Sequence, residues 1–334
     1  MPTPDAPLPA PPPDFDGALN SVDPLLRVLE TEHAARISAR CTLPASPADY
    51  RPLPDDLHPQ LAAALGKLGV ARLYSHQRAA FDAVRAGRHT VVVTPTASGK
   101  TLCYNLPVLD AVLSRGAKAL YLFPTKALAQ DQVAELSELN RSGRTGAPEL
   151  GVKAFTFDGD TPGDARKAVR TRGDIVLSNP DMLHQAILPH HTKWAQFFES
   201  LAFVVVDELH SYRGVFGSHV ANVFRRLNRI CRFYGVAPRF IFASATIANP
   251  AELAALLVGE PVAAVTDSGA PRGARHLLLW NPPVIDPDLG IRASARSQTT
   301  RIARAATKSG LKNIVFARSR LMVEVITKYL KDVF

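Results

Sequence analysis

T-V-V-V-T-P-T-A-S-G-K-T, Thr90 to Thr101, is the stretch from which the rest of the chain is read. Val91, Val92 and Val93 form a β-branched run suited to a strand buried on both faces, and Leu102, Tyr104, Leu106 and Val108–Leu109 resume as a helix after the loop. Strand, tight loop and helix are the setting in which backbone amides gather around a phosphate. In the loop, Thr94, Pro95, Thr96, Ala97 and Ser98 make the turn and Gly99 lets the backbone curl. Lys100 is placed to neutralise β- and γ-phosphates, and Thr101 to hold Mg²⁺. The stretch is a candidate cradle for ATP with Mg²⁺. Thr94 stands where the pattern G-x-x-x-x-G-K-[ST] has its first glycine, and S-G-K-T alone also fits a solvated turn, so the decision falls to the remaining residues.

The 334 residues, 46% hydrophobic and 21% charged, point to about two globular domains with a sizeable core. No apolar run approaches the ~18 residues of a membrane span, and the N-terminus lacks the basic-then-apolar order of a signal peptide. A cytoplasmic, nucleoid-associated protein with no membrane partner is expected. Cys41, Cys103 and Cys231 are too few and too scattered for a disulfide framework or a zinc site, and read as packing residues. The net charge of +9 favours a polyanionic partner. Arg292, Arg296, Arg301, Arg304, Lys308, Lys312, Arg318 and Arg320 follow one another with no Asp or Glu between them, although each alone also fits a solvated helix face.

Seven of the first thirteen residues are proline, and residues 1–57 are expected to be a largely flexible arm, interrupted by helical spacing from Leu25 to Ile37. Helices are expected over Pro59–Leu68 and Arg78–Arg85. Apolar runs then recur at Ala119–Phe123, Val152–Phe157, Ile175–Leu177, Phe203–Val206, Phe240–Ala243 and Val262–Val265, with room for a helix between each pair. That alternation predicts an α/β fold with a central parallel sheet over residues 58–266, its chemistry at the carboxyl ends of the strands. Asn249, Pro250 and Glu252 predict a helix start with a capping box. Phe203–Val206 delivers Asp207, Glu208, Leu209 and His210 at its carboxyl end. Two adjacent carboxylates there are costly without a cation, which suits Asp207 to Mg²⁺ and Glu208 to orienting or deprotonating a water for in-line attack.

In these motifs the chain resembles the superfamily 2 helicases with a DExH box, and within them the MrfA/YprA-like branch of DNA repair helicases, from about Leu73 to the C-terminus. Y-S-H-Q ending at Gln77 is similar to the adenine-reading Q-motif, T-P-T-A-S-G-K-T to motif I and D-E-L-H to motif II. S-A-T, Ser244 to Thr246, is similar to motif III, which implies coupling of ATP state to strand grip through His210. Phe123–Gln132 resembles motif Ia, Asp158–Pro162 motif Ib and Ser178–His184 motif Ic. The resemblance implies nucleic-acid contacts by Thr125, Lys126, Asp158 and Asn179. Y-R-G-V-F-G-S-H-V-A-N-V, S-A-T-I-A-N-P and W-N-P-P, Trp280 to Pro283, are similar to this branch in particular. N-I-V-F-A-R-S-R, Asn313 to Arg320, resembles motif IV, which implies a linker over 267–290, the start of a second RecA-like lobe over 291–334 and a strand contact by Arg318.

The resemblance implies an ATP-dependent helicase moving on single-stranded or tailed duplex DNA, with RNA less favoured, 3′–5′ polarity and a role in repair. Phe155, Phe157, Trp194, Tyr212 and Trp280 are candidates for base stacking but read mostly as core. Motifs V and VI and a cysteine-rich zinc domain do not follow motif IV. The expectation is therefore a truncated or split product, deficient in unwinding, whose missing lobe a partner chain would supply. Two other readings stay open: a P-loop ATPase switch indifferent to nucleic acid, and a non-catalytic nucleotide- and nucleic-acid-binding module.

Overall fold

The computed structural model describes residues 22–140 and 150–332, which fall into two compact units, 47–272 and 1–46 with 273–334. The expected proline-rich tail over the first thirteen residues lies outside the described residues.

The larger unit is built on seven strands: β1 His89–Val93, β2 Lys118–Leu122, β3 Ala154–Thr156, β4 Ile175–Ser178, β5 Leu201–Val206, β6 Arg239–Ser244 and β7 Val262–Val265. Their order is β7-β1-β6-β5-β2-β4-β3, and every neighbouring pair is parallel. The residues dictate this. Leu120 and Leu122, Val204 and Val206, and Phe240 and Phe242 bury into one core, while the alternating Ala119 and Tyr121, Phe203 and Val205, and Ile241 and Ala243 bury into the other. A strand apolar on both faces needs helices on both sides, and only crossover connections provide them. This is the RecA-like α/β arrangement, and it brings the carboxyl ends of all seven strands to one edge.

The helix after β1 runs Lys100–Arg115, opened by Gly99 and closed by Gly116, both left-handed. The helix expected from Arg78 starts earlier, at Ser75, so S-H-Q forms its first turn. Asn249 is the N-cap of helix Pro250–Val258, but the capping box does not form: Asn249 Nδ2 donates to Glu252 Oε2 (3.0 Å) instead of the side chains reaching backbone. Phe157, Trp194 and Tyr212 are buried core, as expected of most of the aromatics.

The flexible arm expected over residues 1–57 is corrected for its described part. Helix Asp23–Glu32 falls largely within the helical spacing expected from Leu25, but Ile37–Leu43 pairs antiparallel with Arg275–Trp280, and Tyr50–Pro52 pairs with Arg72–Tyr74. Pro44 and Pro47 fall between the first two of these strands and delimit them rather than dissolving them. The same ladder places residues 275–280, expected as linker, within the smaller unit, which also holds helices Ala295–Lys308 and Arg320–Lys331. The motif IV stretch forms no strand among the described residues, and Ile314 and Phe316 are 81% and 90% exposed, since an apolar run without a neighbouring strand buries little.

Leu278→Pro should break the ladder between Ile37–Leu43 and Arg275–Trp280 while sparing the seven-stranded sheet. Amide exchange should accelerate at both segments together. Rapid exchange of 37–43 in the unsubstituted chain would contradict the pairing.

Candidate nucleotide site

The loop after β1 and the end of β5 face a shared cavity of about 380 Å³, lined by Thr96–Thr101, Tyr104, Asp207, Glu208 and Ala245. A larger cavity of about 780 Å³ opens at the opposite, amino-terminal edge of the sheet, but it holds no glycine-lysine loop, so size does not identify the site. Lys100 Nζ donates to the carbonyls of Thr94 (2.9 Å) and Pro95 (3.0 Å), which holds the ammonium inside the loop. Thr94, the departure from the usual glycine, bonds Ser98 across the turn, Oγ1 to Oγ at 2.6 Å, and both are buried. The hydroxyl pair closes the loop where the pattern has a bare backbone.

Two side chains brace this loop from the preceding segment. Gln77 Nε2 donates to Gly99 O (3.0 Å), and Gln77 Oε1 accepts from Tyr74 N (2.9 Å). The expected adenine-reading amide is thus engaged with backbone, keeping one N–H and one lone pair. A Cβ on Gly99 would lie 2.7 Å from Gln77 Nε2, and its φ of +76° disfavours a side chain independently. His76, which sequence reasoning passed over, is the second brace. Gly269 N donates to His76 Nδ1 (3.1 Å), so the ring proton sits on Nε2, which donates to Ser98 O (3.0 Å). Burial holds this imidazole below its ordinary pKa, opposed by the bond to Ser98 and aided by the Lys100 charge. Gly269 fits only as glycine, because a Cβ would meet Ser75 N at 2.7 Å and Asp49 O at 2.8 Å. The motif Y-S-H-Q could have signalled His76; its partner 193 residues away could not be read.

At the end of β5, Asp207 Oδ1 accepts from Glu208 N (2.8 Å), and Tyr104 O–H lies 3.4 Å from Oδ2 but has a closer acceptor in Gln132 Oε1 (2.6 Å). Burial pushes the Asp207 carboxyl up to about 6, with the adjacent Glu208 charge adding to it and the Glu208 N–H and Lys100 opposing it. Glu208 adopts φ +54°; it and Ala97 are the only non-glycine residues with positive φ among the described residues. That strained backbone turns the Glu208 carboxylate toward His210, Oε2 to Nδ1 at 3.1 Å, with Ser244 Oγ 3.4 Å from the same nitrogen. Glu208, His210 and Ser244 therefore form one chain of contacts. Thr246 is exposed and outside it.

No group of three or more metal-ligating His, Cys, Asp or Glu gathers among the described residues. Asp207 and Thr101 line the same cavity, and would offer a carboxylate and a hydroxyl as a partial oxygen shell. It suits a hard cation whose remaining ligands are water and phosphate oxygens.

The nucleic-acid candidates divide. Thr125 is exposed and its Oγ1 accepts from Leu128 N (3.4 Å) at the start of helix Lys126–Asn140; Lys126 is exposed and pairs with Asp160 (2.7 Å). Asn179 Oδ1 caps a helical turn by accepting from Met182 N (2.8 Å). Asp158 is buried and its carboxylate accepts from Asp160 N and from Thr161 Oγ1, so it shapes its loop rather than presenting a contact to a strand. Arg318 is exposed in the smaller unit.

A RecA-like sheet carrying this loop and this carboxylate pair defines a class, and residues 74–253 match the family model of the DEAD/DEAH box helicases. The chain belongs to that family. It is 54% identical over 288 residues to the uncharacterized ATP-dependent helicase YprA of Bacillus subtilis (strain 168), covering 85% of this chain and 38% of that protein. It is 35% identical over 307 residues to the ATP-dependent helicase HRQ1 of Saccharomyces cerevisiae, covering 90% and 28%. Among solved structures, the DUF1998 helicase MrfA bound to DNA and AMPPNP matches with a TM-score of 0.88 at 48% identity, over 94% of this chain and 43% of that one. The chain thus spans less than half the length of these relatives.

Two outcomes follow from the site. The Asp207 carboxyl, raised from 3.8 to about 6, binds its proton more tightly folded than unfolded, so stability falls as pH rises through that window and the full cost, about 3 kcal/mol, stands above it. Asp207→Asn, measured in EDTA, should therefore raise stability at pH 8 by about 1–3 kcal/mol and leave it little changed at pH 4. An equal shift at both pH values would show that burial of the charge is not the cause. Gly99→Ala should cost about 1–2 kcal/mol of stability and weaken fluorescent-ATP binding at least tenfold, through strain and displacement of Gln77.

Proposed function

We propose that this chain binds ATP with Mg²⁺ in the cavity between the Lys100 loop and Asp207, and hydrolyses it in step with grip on single-stranded DNA. The observation that carries this is the convergence of Lys100, Thr101, Asp207 and the Glu208–His210–Ser244 chain at one sheet edge. Backbone amides of Ala97–Thr101 and the Lys100 ammonium hold phosphates, and Thr101 and Asp207 hold Mg²⁺, which when bound draws charge from the phosphate oxygens. Glu208 orients the attacking water and accepts its proton. Because its carboxylate also contacts His210, and His210 contacts Ser244, a shift at one end of that chain is felt at the other. Gln77, with one N–H and one lone pair left, reads adenine.

Thr125, Lys126 and Asn179 follow the carboxyl ends of β2 and β4 at the same sheet edge and serve the strand through phosphate, which makes binding indifferent to sequence and steeply salt-dependent. That the relatives are named helicases, and that MrfA was solved with DNA, supports this substrate. Movement from 3′ to 5′, a repair role and a cytoplasmic nucleoid-associated location belong to the same proposal.

The test is ATP hydrolysis by the purified chain with and without single-stranded DNA. Turnover should rise with DNA and fall at least a hundredfold in Lys100→Ala and Glu208→Gln, with Glu208→Gln retaining ATP binding. Turnover that ignores DNA would favour an ATPase switch.

A further inference from the structure

A second cationic site lies wholly within the smaller unit. Helices Asp23–Glu32, Ala295–Lys308 and Arg320–Lys331 line a groove of about 660 Å³. Four cations face it, Arg296, Arg301, Arg304 and Lys308, against a single carboxylate, Glu32. At 100° per residue the four lie within an arc of about 140°, so one helix face carries them all.

That arrangement works against the helix that bears it. Arg304 and Lys308 are like charges at i,i+4, and Arg301 and Arg304 at i,i+3, each pair unfavourable by about 0.2–0.5 kcal/mol. Arg296 stands in the first turn, where the helix dipole opposes a cation. Among the described residues none of the four has an ion-pair partner: Arg296 lies 5.8 Å from the Tyr329 ring, and Arg304 donates only to Tyr329 O (2.9 Å). One donor is also left over: Arg304 Nε, on a groove-lining residue, has no hydrogen-bond partner among the described residues. A polyanion would relieve the repulsion.

The geometry points to the phosphodiester backbone of a nucleic-acid strand as the ligand of this groove, and we infer that it is a second strand-binding site. The shared chemistry is phosphate, and spacing selects the source. Twelve residues separate Arg296 from Lys308, about 18 Å at 1.5 Å per residue, which spreads the cations along a line. A compact polyphosphate needs donors that converge on a point. Exposed Tyr329, beneath the Arg296 guanidinium, adds the aromatic surface that single-strand sites combine with positive charge. The inference rests on the proposal that the chain acts on a DNA strand, but uses none of the residues assigned there.

The test uses the full chain and a labelled oligothymidylate, with affinity measured from 50 to 200 mM salt. Arg296, Arg301 and Lys308 are exposed, so the triple change to Gln should leave thermal unfolding intact. It should lower the slope of log affinity against log salt by about 2, at ~0.7 for each single-strand phosphate contact, and weaken binding at least tenfold at low salt. Lys126→Ala, run beside it, reports on the larger unit. An unchanged slope in the triple variant with weakened binding in Lys126→Ala would overturn this inference and leave the proposed function standing; the converse would do the reverse. No binding by the unsubstituted chain would overturn both. Tripolyphosphate titrated calorimetrically is the remaining arm: if the triple variant loses its binding while the oligothymidylate slope holds, the groove takes a free polyphosphate and the strand assignment is wrong.

Discussion

Burial of the parallel sheet on both faces is the constraint from which the nucleotide site follows. A strand whose alternate residues enter two separate cores has no interior position for a polar side chain, so chemistry is confined to strand ends. Parallel direction then brings those ends to one edge, and strand order decides who meets. β1 and β5 flank β6, so the Lys100 loop, Asp207 and Ser244 gather although more than a hundred residues separate the first from the others.

What gathers there is held against its own preference. Asp207 is a carboxylate in a place that favours its neutral form, and Glu208 and Ala97 sit in left-handed backbone. Each tendency alone would let the edge relax into a less crowded arrangement. The braces oppose this from outside the loop: Gln77 holds Gly99, His76 holds Ser98, and Gly269 fixes His76 by an approach that no other residue permits. The phosphate loop is therefore an assembly of three segments, and its geometry depends on residues 74–77 and 269 as much as on its own.

Most of the sheet was legible because double burial writes itself as apolar runs, and the runs at Phe203–Val206 and Phe240–Ala243 fall within strands β5 and β6. The ladder of Ile37–Leu43 was not legible, since all but its first residue are exposed and its partner strand lies more than 230 residues on. Such a strand carries no burial pattern. At the site, Lys100, Asp207 and Glu208 were readable from spacing, while the role of His76 arises from a contact distant in sequence. Asp158 shows the converse, a motif position whose carboxylate turns inward to shape its own loop.

The two proposed phosphate sites differ in geometry, and the difference bears on what each is suited to do. Around Gly99 the proposed donors converge, an arrangement suited to holding the oxygens of one triphosphate in place. Along helix Ala295–Lys308 the cations are strung out on flexible stems, fixing neither register nor base. A convergent site suits a ligand that must react, because in-line displacement tolerates little displacement of the atoms. A distributed one suits a ligand that must slide, because each cation can exchange one phosphate for the next at nearly equal energy. Within one molecule, the chemistry proposed at the first and the strand movement proposed at the second are compatible because the two geometries make opposite demands on the same phosphate group.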